Sequence, residues 1–167
     1  MQNYFQGNFK HPQHLSVGAV LIDDKSEICC HHFTDDQLKG YWPDLKINDL
    51  YILMRETINP GENLDIAVKR GLIEEFGAEA EIVDYIGSIR SHFKDKDVEI
   101  EKTTIYFVCK LISQDLSKRS DEDIEGKSYV EWQTASFLIP KMKEQSKKYS
   151  RTDIDESEIL ERFQKLK

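Results

Sequence analysis

The chain has 167 residues, the size of one ordinary domain, and at that length roughly 70% of the unfolded surface can be buried without metal or disulfide staples. Aromatic residues at 10% argue against wholesale disorder, and a formal net charge of −8 disfavours non-specific binding to a nucleic-acid backbone. That charge still admits a small phosphorylated substrate, because a bound divalent cation can invert the local field.

The cysteines, Cys29, Cys30 and Cys109, are odd in number and two are adjacent, which is no disulfide framework and fits a reducing, cytoplasmic setting. No apolar run approaches the ~18 residues of a membrane span, and no signal-peptide pattern is present. Residues 1–7 (Met-Gln-Asn-Tyr-Phe-Gln-Gly) resemble an altered protease-cleavage tag, so they are expected to be a tag remnant or a disordered N-terminus. Residues 8–167 are expected to form a single domain.

Leu15 to Ile22 is rich in β-formers and runs into the turn Asp23-Asp24-Lys25-Ser26; Glu27 to Phe33 reads as the return strand of a hairpin. Residues 34–50, with Gly40 and Pro43, read as a long loop, and Tyr51 to Met54 as a short strand. Asn63 to Phe76 has helical spacing, with Leu64, Ala67, Val68 and Leu72 three and four residues apart and Gly77 at the position of a C-terminal cap. Glu79–Ile89 and Thr103–Ile112 read as strands. The alternating charges of Lys94 to Lys102 between them read as an exposed hairpin arm or a solvated turn. Ser113 to Lys127 reads as a polar loop, Tyr129 to Gln133 as a strand, Ala135 to Gln145 as a helix starting near Thr134, and Asp155 to Leu166 as a last helix. The order β-β-β-α-β-β-β-α-α lacks regular βαβ alternation. It predicts an α/β fold with a mixed sheet and helices on both faces.

The chemistry gathers at Pro60-Gly61-Glu62, then Arg70-Gly71-Leu72-Ile73-Glu74-Glu75-Phe76-Gly77. Glu74 and Glu75 occupy the last helical turn, where the helix dipole disfavours acids. Arg70, four residues before Glu74, can compensate only part of that charge. A hard divalent cation held by carboxylates is one reading and a solvated acidic face is the other.

The segment resembles the signature of the Nudix hydrolases: Gly, five residues, Glu, seven residues, Arg-Glu-apolar-x-Glu-Glu-x-Gly-apolar. Glu62, Arg70, Leu72, Glu74, Glu75, Gly77 and Ala78 stand at matching positions. Ser16 to Val20, Tyr51-Ile52-Leu53 and Val130-Glu131-Trp132 resemble the family's flanking elements, so the resemblance spans roughly residues 14–145. It implies a Nudix-like α/β/α sandwich with a mixed β-sheet. It also implies metal-dependent hydrolysis, with Mg²⁺ or Mn²⁺, of a diphosphate bond in a nucleoside diphosphate-linked or related small molecule. The resemblance makes Glu74, Glu75 and Arg70 the catalytic group, with Glu74 and Glu75 as metal ligands. Asp123 and Glu125, in the acidic stretch that also holds Asp121 and Glu122, are further candidate ligands. Glu56, Arg55 and Tyr51 are candidate substrate contacts, and Gly61, Glu62 and Gly77 are structural. Homodimers are common in the resembled family.

Two departures stand out. The signature's first glycine is Glu56, and the glutamate after the arginine is Gly71. Gly71 either admits a close neighbour or marks lost catalysis. The alternative function is therefore a Nudix-fold module that binds a nucleotide-like ligand without turnover. Cys29-Cys30-His31-His32 lacks zinc-ligand spacing, because adjacent strand residues point to opposite faces, and reads as buried thiols with strand histidines. His92, Phe93, Tyr106, Trp132, Lys102 and Lys110 could meet a ligand, but core packing or solvent is the ordinary role of each residue type.

Overall fold

The computed structural model describes residues 3–34, 49–120 and 127–166. Seven strands form one sheet: β1 (Gln13–Ile22), β2 (Ile28–Thr34), β3 (Asp49–Ile52), β4 (Met54–Thr57), β5 (Ala78–Asp95), β6 (Val98–Gln114) and β7 (Tyr129–Gln133). The helices are α1 (Leu64–Phe76), α2 (Ala135–Tyr149) and α3 (Ser157–Lys165). The main strand order is β3-β2-β1-β6-β5, with β4 also pairing β1 and β7 also pairing β2. Among the described residues only β1 and β6 run parallel, so the sheet is mixed.

Period-two alternation on β1 divides the core in two. Val17, Ala19 and Leu21 face α1 together with Cys29, Met54, Leu72 and Phe76. Val20 faces the other way, with Cys30, Tyr106 and residues of α2 and α3 such as Leu138, Leu160 and Phe163. The result is an α/β/α sandwich with α1 on one face and α2 and α3 on the other.

Two segments differ from the sequence reading, and a third, Lys94–Lys102, takes its hairpin-arm alternative. The expected single strand Tyr51–Met54 is two strands, because the chain changes partner at Leu53: β3 pairs β2 and β4 pairs β1. The Leu53 N–H, which neither ladder uses, donates to the buried Glu156 carboxylate at 2.7 Å. The charged stretch Lys94–Lys102 is mostly paired strand, with Asp95 opposite Val98 and the turn confined to Lys96 and Asp97, both at positive φ. Its alternation is a strand period, since Ile100 is fully buried between exposed or half-exposed charges. The N-terminal segment lies on the sheet: Phe5 packs at the edge of the α1-side core, the Leu15 N–H donates to Phe5 O, and Asn3 Nδ2 donates to Ile58 O.

Candidate active site

Helix α1 follows the turn at Pro60-Gly61, where Gly61 has φ of +78°. It ends at Gly77 in the left-handed region, φ +62°, with the Gly77 N–H bonded to Ile73 O. Its last carbonyls point at the end of β6 and the segment after it and find donors there. Ser120 N donates to Glu74 O, Arg119 Nε to Glu75 O and Gln114 Nε2 to Phe76 O. Arg119 is thus a cation at the negative end of the helix dipole, supplied from 44 residues along the chain.

Arg70 organises the face beside that end. Its Nε and Nη2 make a two-pronged contact with Glu62, both at 2.8 Å, and Nη2 also donates to Thr57 O. Nη1 lies 2.9 Å from Glu56 Oε1 and 3.3 Å from Glu74 Oε2. Glu62 in turn accepts the Asn59 N–H at 2.9 Å, which fixes the turn that launches the helix. The guanidinium holds the Glu62 carboxyl below its usual range. Burial pushes the Glu56 carboxyl up, against the opposing pull of Arg70.

Glu75 points inward and is buried. His31 Nε2 lies 2.7 Å from its Oε2, and the Arg55 backbone N–H reaches the same oxygen at 3.4 Å. His31 Nδ1 lies 2.6 Å from Ser128 Oγ, which itself accepts from Arg119 Nη2 at 2.9 Å. With that oxygen accepting from arginine, its own proton points to Nδ1, so the neutral imidazole donates from Nε2 to Glu75. Burial, with Arg119 and Arg55 nearby, holds His31 neutral well below its ordinary titration range.

The structure thus brings Glu56, Glu62, Arg70 and Glu74 together, with Glu75 one residue on. It does not bring Arg55 and Tyr51 to them. Arg55 points to the opposite face of β4 from Glu56 and donates to Asp153 O. The Tyr51 ring is buried, stacked on His32 at 4.3 Å and edge-on to Phe137. Asp123 and Glu125, with Asp121 and Glu122, lie outside the described residues. Cys29 and Cys30 are buried on opposite faces, as their alternation predicts. His31, Ser128 and Arg119 went unrecognised as site residues in sequence. One local signal was present: strand parity puts His31 on the same side as Cys29.

Among the described residues no group of three or more His, Cys, Asp or Glu is placed to hold a metal ion by itself. The donor chemistry suits a hard divalent cation even so. Glu56 and Glu74 reach one nitrogen, and Mg²⁺ typically takes one or two protein carboxylates, completing its shell with water and substrate oxygens. A cleft of about 520 Å³ lies instead between His92, Phe93 and the Arg151–Asp153 turn, and no signature residue lines it.

Comparison with known proteins agrees with fold and signature. The family profile described as NUDIX domain matches residues 12–152, so the chain belongs to the Nudix family. Its fold is the one that solved Nudix hydrolases share. A NUDIX hydrolase from Nitrosomonas europaea superposes with a TM-score of 0.65 at 15% identity, covering 97% of this chain and 91% of its own. A MutT protein from Methanosarcina mazei gives 0.59 at 19% identity over 93% and 95%. The ORF135 protein of E. coli gives 0.53 at 16% over 92% and 90%. No curated protein matches the sequence significantly.

Proposed function

We propose that this protein hydrolyses a diphosphate bond in a nucleoside diphosphate-linked or related small molecule, with Mg²⁺ or Mn²⁺ bound beside the C-terminal end of α1. The carrying observation is the gathering of Glu56, Glu62 and Glu74 on Arg70 inside the family signature. In this reading Glu74 and Glu75 hold the metal, Arg70 fixes the carboxylates, and Gly61, Glu62 and Gly77 set the turn and the stop of the helix. His31 holds the Glu75 carboxylate in one orientation, as partners of ligating carboxylates do. The metal supplies neutralisation of the diphosphate and a more acidic bound water. The buried thiols suit a reducing, cytoplasmic compartment.

A second reading, ligand binding without turnover, is favoured by Gly71 and by the engagement of Glu75 with His31. A panel of nucleoside diphosphate-linked compounds, assayed with Mg²⁺, with Mn²⁺ and with chelator, separates the two. Metal-dependent release of a nucleoside monophosphate or phosphate from at least one compound is expected, and Glu74→Gln should reduce it. Binding of a panel member with no product under any metal condition would favour the second reading.

A further inference from the structure

The two positions where this chain departs from the Nudix signature touch each other. A Cβ placed on Gly71 would lie 2.7 Å from Glu56 Cβ, 2.7 Å from Met54 Sδ and 3.3 Å from Glu56 Cγ. The first two are shorter than real carbon contacts, and both neighbours are held: Met54 is fully buried among Leu72 and Phe76, and Glu56 is bonded to Arg70. At this spacing of α1 on β4, the space between the elements takes one side chain, from either 56 or 71. Here it comes from the strand, where the signature has glycine, and the helix carries the glycine, where the signature has glutamate. The carboxylate is kept while its backbone origin is exchanged. From β4 it reaches the Arg70 nitrogen that Glu74 also reaches from the helix.

We propose that Glu56 is the relocated signature carboxylate, ligating the divalent cation from β4 in place of the helix glutamate that Gly71 lacks. This rests on the hydrolase reading of the same site. It makes Gly71 a requirement of Glu56 rather than a sign of lost function. It also makes positions 56 and 71 a coupled pair: neither reversal works alone, and the two together restore the ordinary signature.

The test uses the full chain and Mn²⁺ alone as probe, with affinity read by calorimetry, melting temperature read in chelator, and hydrolysis read separately. Glu56→Gln keeps the bulk of the side chain and should weaken Mn²⁺ binding by about tenfold or more. Gly71→Glu alone should lower the melting temperature in chelator by several degrees, since overpacking costs about 1–3 kcal/mol. The exchange variant E56G/G71E should recover both the melting temperature and, to within about threefold, the Mn²⁺ affinity. Unchanged Mn²⁺ affinity in Glu56→Gln, no Mn²⁺ binding by the wild type, or an exchange variant no better than the worse single variant would each overturn the proposal. If Glu56→Gln lowers Mn²⁺ affinity but the wild type cleaves no diphosphate, the relocation stands and the hydrolase reading falls. If the wild type cleaves diphosphates and Glu56→Gln changes neither affinity nor rate, the reverse holds.

Discussion

Adjacent residues of β4, Arg55 and Glu56, enter two arginine–carboxylate networks on opposite faces of the sheet. On the α1 face, Arg70 meets Glu56, Glu62 and Glu74, and Glu74 keeps 42% of its side-chain surface in solvent. On the other face, Arg55 lies 3.8 Å from Glu156, whose side chain is 2% exposed. Glu156 also accepts from Leu53 N and the Tyr106 hydroxyl. The same groups therefore do different work. A partly hydrated carboxylate can exchange an arginine contact for a metal and back at little cost. A buried one beside Arg55 that also accepts from two interior donors cannot leave without stripping those donors of their acceptor, so it locks the β3–β4 crossing to the start of α3.

The largest expected contrast follows directly. Glu156→Ala should destabilise the fold by about 3–5 kcal/mol, because it removes the interior acceptor of the Tyr106 hydroxyl and the Leu53 N–H and the carboxylate beside Arg55. Glu74→Ala should cost less than about 1 kcal/mol. Urea denaturation of both variants checks this, and equal losses would erase the distinction between the faces.

Each face also buries a neutral histidine, and acid should expose them. Burial, with Lys102 and Arg55 nearby, pushes His14 down to about 3, and its Nδ1 accepts the Gly7 N–H at 3.3 Å. A base whose folded pKa is depressed favours the folded state above its unfolded pKa, near 6.5, and that stability is lost as pH falls from there toward the folded value. At pH 5 the loss from His14 is about 2 kcal/mol. His31 shifts in the same direction for the same dominant reason. Stability measured at pH 7 and pH 5 should differ by at least that amount, and His14→Gln should flatten the slope. A pH-independent midpoint would contradict the burial of both rings.

Gly71→Ala sharpens the comparison at the α1 face alone. Alanine gains about 1 kcal/mol of helix propensity, but its methyl meets Glu56 and Met54 and costs about 1–3 kcal/mol. A net loss of about 1 kcal/mol is expected, read as a lower melting temperature; a gain would mean that α1 and β4 part freely.

Local periodicity made much of the fold legible. The end of α1 and its glycine stop, β7, and Thr134 as the N-cap of α2 all follow from short-range pattern. The partner change at Leu53 was not legible, because it depends on Glu156 arriving from 103 residues away. The cation expected for the acidic helix end was only half legible. Arg70 lies one turn before Glu74, whereas Arg119 comes from the segment after β6 and carries no local mark. Gly71 left two readings open in sequence, a close neighbour or lost catalysis, because its contact with Glu56 spans a loop and a helix. The N-terminal segment read as a tag remnant or a disordered stretch because it has no period, yet it supplies Phe5 and hydrogen bonds to Leu15, Ile58, His14 and Thr57. Deleting residues 1–7 should therefore cost about 1 kcal/mol by thermal melting. An unchanged midpoint would return the segment to its reading as a remnant.

Under the proposed function the partly hydrated Arg70 face, and not the buried Arg55 face, receives the divalent cation. Paramagnetic broadening by sub-stoichiometric Mn²⁺ in an amide NMR spectrum tests it residue by residue. The amides of Glu56, Glu74 and Glu75 should broaden first, while those of Asp153 and Glu156 stay sharp. Broadening centred on Asp153 and Glu156, or spread evenly over the acidic surface, would contradict it.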